Sequence, residues 1–384
     1  MKILIIFTSL LFLYFPICFA QNEVLNNFPD SIYSGKQSRF HVQGIAIDKR
    51  NGFVYFSFTD RLIKTDLSGK ILGSVTGIVG HLGDLAFNEE TEEVYASLEY
   101  KNDAIGKGIS NTIGNQENKE NAFYIAIFNG LGIIRENMNA EENGILRTVF
   151  LKEVVEDFEA KSLIKGNLVK HRFGCSGIDG ITFGTAFGNK KNQKKYLYVA
   201  YGIYSDTSRE DNNYQVLLKY DISDWMKYNS KLSQRSLHRL GPDKPLQKYF
   251  IKTGNTRYGI QNLAFDDYSG NFYAAVYPGI KSEFPNYSLF VIDGKRSPVK
   301  EKIISFDKSI EVETLTLAHQ GLEDKTSGIR GWYFNKGATG IFPLGEGLFY
   351  ISHNNKSEEG EHETMLYKYK WTGSAEKPFL RKDD

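Results

Sequence analysis

The sequence predicts an all-β fold, a β-propeller of five blades with four antiparallel strands each, six blades being the alternative. Three observations lead there. A short unit recurs five times along the chain, each copy an apolar segment, a turn and an aromatic-rich strand. Tyr and Phe are abundant, with 23 and 27 among 384 residues, and such side chains suit half-buried pleated strands. Glycine- and asparagine-bearing turns separate the two strands in most copies, and repeated strand pairs mark propellers, although Gly44, Asp84, Gly180, Asn262 and Gly340 show that the units here are unevenly spaced by insertions.

Residues 1–20 read as a secretory signal peptide. Lys2 starts it, residues 3–15 are apolar, and Cys18 and Ala20 place small residues before a cut at Gln21. The run is short for a membrane span, which needs about 20 residues. The expected mature chain is therefore a single propeller over 21–384, exported to the periplasm or secreted, a monomer with no membrane span. Its one remaining cysteine, Cys175, allows no internal disulfide, so a packed core must hold the fold. Net charge is +1 with both signs interspersed, which removes the electrostatic case for nucleic acid.

The strand pairs are 41–48 with 53–58, 81–88 with 94–98, 176–183 with 196–201, 258–266 with 272–277, and 337–342 with 347–352. Third strands follow at 61–66, 122–128, 214–221, 287–293 and 364–371, and fourth strands at 70–75, 146–151, 247–252 and 300–306. Residues 309–334 read as a long loop before the last blade, or alternatively as a sixth blade. Helical spacing is read over 151–164 and over 222–232, the second after a Ser-Asp cap signal.

Propeller topology makes the innermost strands start on the face that also carries the loops between second and third strands. Those loops are the long ones, 99–121, 202–213, 278–286 and 353–363, and long polar loops on a rigid scaffold carry function. The innermost strands also start polar. His41, His81, Asp84 and Asp179 are the candidate catalytic groups. Gln43, Glu99, Tyr100, Lys101, Tyr204, Arg209, Tyr258, Gln261 and His353 are the candidate ligand-binding groups. Asp84, Asp179 and Asn262 are oxygen donors suited to calcium. Nucleophile-elbow, zinc-protease, C-x-x-C, Walker and dinucleotide motifs are absent from the sequence. The expected function is a channel-mouth site for a small polar ligand. It is either a metal-assisted hydrolase of a carbohydrate, lactone or ester, or a non-catalytic carbohydrate- or protein-binding module.

Residues 41–69 and 258–277 resemble blades of the six-bladed NHL and gluconolactonase-like propellers. They share an apolar Gly-containing strand ending in Asp, an Asn-Gly or Ser-Gly turn and an aromatic strand. The chain also resembles uncharacterised exported bacterial propellers, and its unit count resembles five-bladed sugar hydrolases and calcium-dependent nucleotidases. The gluconolactonase resemblance implies calcium in the channel. Asp84, Asp179 and Asn262 sit at comparable places, and the usual glutamate has no counterpart.

Overall fold

The computed structural model describes residues 28–37, 39–114, 120–188 and 193–381. The expected signal peptide lies outside them. Among the described residues no helix is long and apolar enough to cross a membrane.

Five sheets radiate from five innermost strands, Val42–Asp48, His81–Asn88, Cys175–Thr185, Thr256–Asp266 and Ile341–Gly345. Each pairs antiparallel with the next strand outward in its blade. Successive side chains of a strand point to opposite faces. Here both faces meet a neighbouring blade, so both are apolar. The core accordingly divides into five clusters, one for each pair of adjacent blades. Val75 and Leu62 of the first blade meet Leu82 and Val94 of the second, and Phe123 and Val149 meet Ile178 and Val199 of the third. Ala200 and Leu217 meet Ile260 and Leu263 of the fourth blade, whose Tyr273 and Ala275 meet Phe349 and Ile351 of the fifth. Tyr350 and Leu366 then return to Val42 and Phe56. This closed cycle of five interfaces fixes the blade number.

The ring closes through the chain ends. Ser31–Tyr33 pairs with His362–Trp371, with Ile32 opposite Leu366. A strand from before the first blade thus completes the last one, and opening the ring requires breaking that sheet.

Several expectations about the outer strands are corrected. Val299–Ser305 is not the fourth strand of the fourth blade. It forms a hairpin with Lys308–Thr314, which pairs parallel with Gln247–Lys252 and extends the third blade. The segment considered for a sixth blade therefore splits. Its start covers the third blade's edge, and Leu317 and Trp332 bridge to the fourth blade's Ile292 and Leu289. The helix expected over 151–164 ends early, at Lys152–Glu159, and gives way to the hairpin Lys161–Ile164 with Asn167–Lys170. Residues 222–232 hold only a 3-10 turn, Trp225–Lys227, and the short strand Ser230–Lys231 on the second blade's edge. There the buried Trp225 ring sits edge-on to Tyr220, and that packing outweighs a weak helical signal. The last innermost strand begins at Ile341 rather than 337, because Gly337–Gly340 form a turn.

Candidate functional site at the channel mouth

Bulges shape the upper end of the channel. The pairing register slips at Val42/Gly44, Leu82/Leu85, Cys175/Gly177, Ile178/Ile181 and Arg257/Ile260, all toward the beginnings of four innermost strands. An extra residue in a strand bends it and re-aims its side chains. The slips turn Gln43, Asp179 and Gln261 toward a cavity of about 230 Å³. His41, His81, Glu99, Lys101, Tyr258 and Tyr277 also line it, so the two expected sources, strand starts and second-to-third-strand loops, do meet.

A buried charge network forms one wall. Lys101 Nζ lies 2.6 Å from Glu99 Oε1 and 4.0 Å from Asp103 Oδ2, and it donates to the Ser176 carbonyl at 2.9 Å. Glu99 Oε1 also meets His81 Nδ1 at 3.1 Å, and Glu99 Oε2 accepts from the Ile178 amide at 3.1 Å. Burial pushes the Glu99 carboxyl up, but Lys101 and His81 outweigh it and hold Glu99 below the usual carboxylate range. Burial likewise lowers Lys101, and Glu99 and Asp103 reverse the sign. The pair is ionised. Against that carboxylate the His81 ring presents Nδ1–H, and the ring lines the cavity. Gly177 makes the arrangement possible. Its φ is +124°, and a Cβ there would stand 2.0 Å from Glu99 Oε2.

Asp179 behaves differently. It is 6% exposed, and Oδ1 has no hydrogen-bond partner among the described residues. Burial, with the Glu99 and Asp84 charges adding to it and His81 opposing, raises its pKa from 3.8 to about 8. The group is therefore protonated at neutral pH. Nearby, burial and then the charges of His81 and His362 lower His41 to about 4, so His41 is neutral. Gln43 Nε2 points at His41 Nε2 at 3.4 Å and donates to Thr59 Oγ1 at 3.1 Å. The Tyr277 hydroxyl is pushed up to about 12 by burial and by Asp179.

Asp84 and Asn262 lie outside the cavity lining. Asp84 Oδ2 accepts from the Ile181 and Leu263 amides, both at 3.0 Å, and Oδ1 from Leu85 at 2.8 Å. One carboxyl thus ties three blades together at the axis. Burial pushes it well above the ordinary value, against the pull of those three amides. Asn262 Nδ2 donates to the carbonyls of Gln43, Gln261 and Ala338 at 2.6, 2.9 and 3.3 Å. Asp84 does not fit calcium. A cation at Asp84 would face the positive ends of three N–H dipoles, whereas Asn262 Oδ1 has no hydrogen-bond partner among the described residues. Among the described residues no group of three or more His, Cys, Asp or Glu could hold a metal. Asp84 thus has an axial structural role, and neither it nor Asn262 lines the cavity.

Four expected ligand-binding residues lie outside the cavity lining and make contacts within the scaffold. The Tyr100 hydroxyl donates to Gln234 Oε1 at 3.0 Å, with the ring edge-on to Tyr124. Tyr204 donates to Asp103 Oδ2 at 2.5 Å. Arg209 forks onto Asp211 at 2.8 and 2.9 Å and ties down the carbonyls of Lys170 and His171. His353 Nε2 meets the Tyr369 hydroxyl at 2.8 Å out in the fifth blade.

The reading as a long loop also missed a wall. Residues 99–121 contain the helix Ala104–Ile113, and its Ile105 and Ile109 line the cavity. Asp103 caps that helix by accepting from the Gly106 amide at 2.7 Å, and Gly114 closes it with φ 79°. Isoleucines at 105, 109 and 113 with a preceding Asp were the available signal. Phe40, Thr59, Ser176, Ile178 and Gly202 complete the lining and were also missed.

No family model matches the chain, and no curated protein matches it. Solved structures similar to it include the Dos1 propeller, at 13% identity and TM-score 0.32, covering 88% of this chain and 81% of that one. A GH43 β-1,3-galactosidase with galactodeoxynojirimycin is 12% identical at TM-score 0.41, covering 88% and 95%. A gluconolactonase-family protein is 12% identical at TM-score 0.32, covering 85% and 74%. The chain is a five-bladed β-propeller similar to such propeller structures.

Proposed function

We propose that the channel mouth binds a small, uncharged polar molecule and acts on it by acid–base chemistry, as a hydrolase of a glycoside, lactone or ester. The observation that carries this is Asp179, a buried carboxyl with an unpartnered oxygen at a cavity whose other carboxylate, Glu99, is kept ionised. Neighbouring titratable groups whose pKa values are pushed apart mark acid and base assignments. Asp179 holds a proton at neutral pH and would give it to a ligand oxygen as general acid. His81, oriented through Nδ1 by Glu99, would take a proton from water at Nε2. Glu99 is a positioning residue, because all its contacts are internal. The cavity is smaller than the roughly 300–1,000 Å³ of drug-sized sites, which favours a small ligand. With Glu99 matched by Lys101, no net charge is left to recruit an ion.

A second reading is a non-catalytic binding site, favoured by the mutual satisfaction of Glu99 and Lys101. Purified protein screened against neutral glycosides, lactones and esters separates the two. A hydrolase turns over at least one class, and Asp179→Asn and His81→Asn each slow it by about 10²–10⁴-fold. A binder shows saturation without turnover. Binding or turnover unchanged in both variants would overturn the site.

A further inference from the structure

Two consecutive residues of the fourth innermost strand have left-handed backbone, Tyr258 at φ 66° and Gly259 at φ 76°. They form the bulge between Arg257 and Ile260. Glycine is required at 259, where a Cβ would stand 2.3 Å from the Tyr201 carbonyl oxygen. Tyrosine at 258 is the anomaly, since that backbone region is strained for a bulky L-residue. The fold gains little packing in return. Tyr258 is 43% exposed, and its ring contact is Tyr277, edge-on at 6.3 Å and 89°. Its carbonyl accepts from Gln261 Nε2 at 3.0 Å, a bond that any residue at 258 could make. A large aromatic is thus held in an unfavourable backbone state with its surface open at the cavity wall.

We propose that Tyr258 is a stacking platform that selects a saturated, hydroxyl-bearing ring of hexopyranose size over an acyclic polyol. The inference rests on the channel mouth being a small-ligand site, and it names the shape that site prefers. An aromatic face covers the C–H face of such a ring, while Asp179, His81 and Gln261 meet its hydroxyls. An open-chain hexitol has the same hydroxyls but no flat face to lay on the tyrosine. Strained non-glycine residues that the fold does not need gather at ligand sites, and Tyr258 fits that pattern.

The test is calorimetric titration with methyl hexopyranosides and with hexitols, on the full chain and on Tyr258→Asn and Tyr258→Gly. Both replacements tolerate left-handed backbone. The expected result is pyranoside binding by the parent chain and no hexitol binding. Both variants should bind pyranosides about tenfold more weakly, with a Tm equal to or above the parent's. Undiminished pyranoside binding in the variants overturns the proposal. So does weakened binding together with a lower Tm, which would assign Tyr258 to the fold. Equal binding of hexitols, or binding of another small neutral molecule at the mouth but of neither probe, overturns the ring preference and leaves the site standing. A parent chain that binds no small molecule takes the site reading down as well.

Discussion

Replacing Asp179 by Asn should stabilise the protein increasingly as pH rises. The ordinary aspartate value is 3.8 and burial raises Asp179 to about 8. Between those values the unfolded chain releases a proton that the folded chain keeps. The folded state then binds more protons, so stability falls as pH rises through that window. At 1.36 kcal/mol per pH unit the full gap bounds the loss at roughly 5–6 kcal/mol by pH 8. Relaxation around the carboxyl will reduce this, so a difference of about 2–4 kcal/mol is expected. Asn keeps the shape and the polar contacts but has no proton to hold. Urea denaturation of parent and Asp179→Asn at pH 4, 6 and 8 should show a stability difference near zero at pH 4 that grows steadily in favour of the variant. A difference independent of pH, or one favouring the parent at pH 8, would mean that Asp179 is ionised in the folded chain. The general-acid assignment would then be wrong.

Four further outcomes follow from the structure. His41, held neutral with its value lowered from 6.5 to about 4, makes the folded chain resist a proton that the unfolded chain accepts. Stability from this group is lost as pH falls from 6.5 to 4, by up to about 3 kcal/mol, and His41→Gln should remove that slope in urea titrations. Glu99→Gln strands the buried Lys101 ammonium and should cost about 3–5 kcal/mol. Adding Lys101→Met should recover most of it, as a double-mutant cycle would show. Gly177→Ala should lower stability by about 2 kcal/mol or more, because its Cβ meets Glu99 and its φ is +124°. Gly108→Ala, in an exposed helix interior with nothing within 4 Å, should raise it by about 0.5–1 kcal/mol in thermal melts.

Much of this arrangement was legible in the sequence, for a physical reason. Each blade is buried on both faces, so its strands are dense in Ile, Val, Phe and Tyr. A polar residue at the start of such a strand is conspicuous. His41, Gln43, His81, Asp179 and Gln261 were found that way, and they do share one cavity. Asp84 and Asn262 gave the same signal and went elsewhere. Bulges break the two-residue alternation between Leu82 and Leu85 and between Ile260 and Asn262, and sequence spacing cannot see a bulge. The helix Ala104–Ile113 was hidden by Gly106 and Gly108, which weaken any helical reading. Gly106 is there because a Cβ would run into the Lys101 carbonyl, a contact between loop and helix that only the fold reveals. Residues 300–306 were assigned to the wrong blade because the hairpin they form, Val299–Thr314, joins Gln247–Lys252 through a parallel pairing remote in sequence. Tyr100 and Tyr204 look alike as loop tyrosines, yet each spends its hydroxyl on the scaffold.

The protonation of one carboxyl at the mouth is what separates an acid–base site from a polar channel lining. Carbon-13 NMR titration of the aspartate carboxyls, with Asp179→Asn to assign the signal, reads it directly. A resonance that stays in the protonated form at pH 7 and titrates near pH 8 is the expected result. A resonance already ionised at about pH 5, within the reach of an ordinary aspartate, would contradict the assignment.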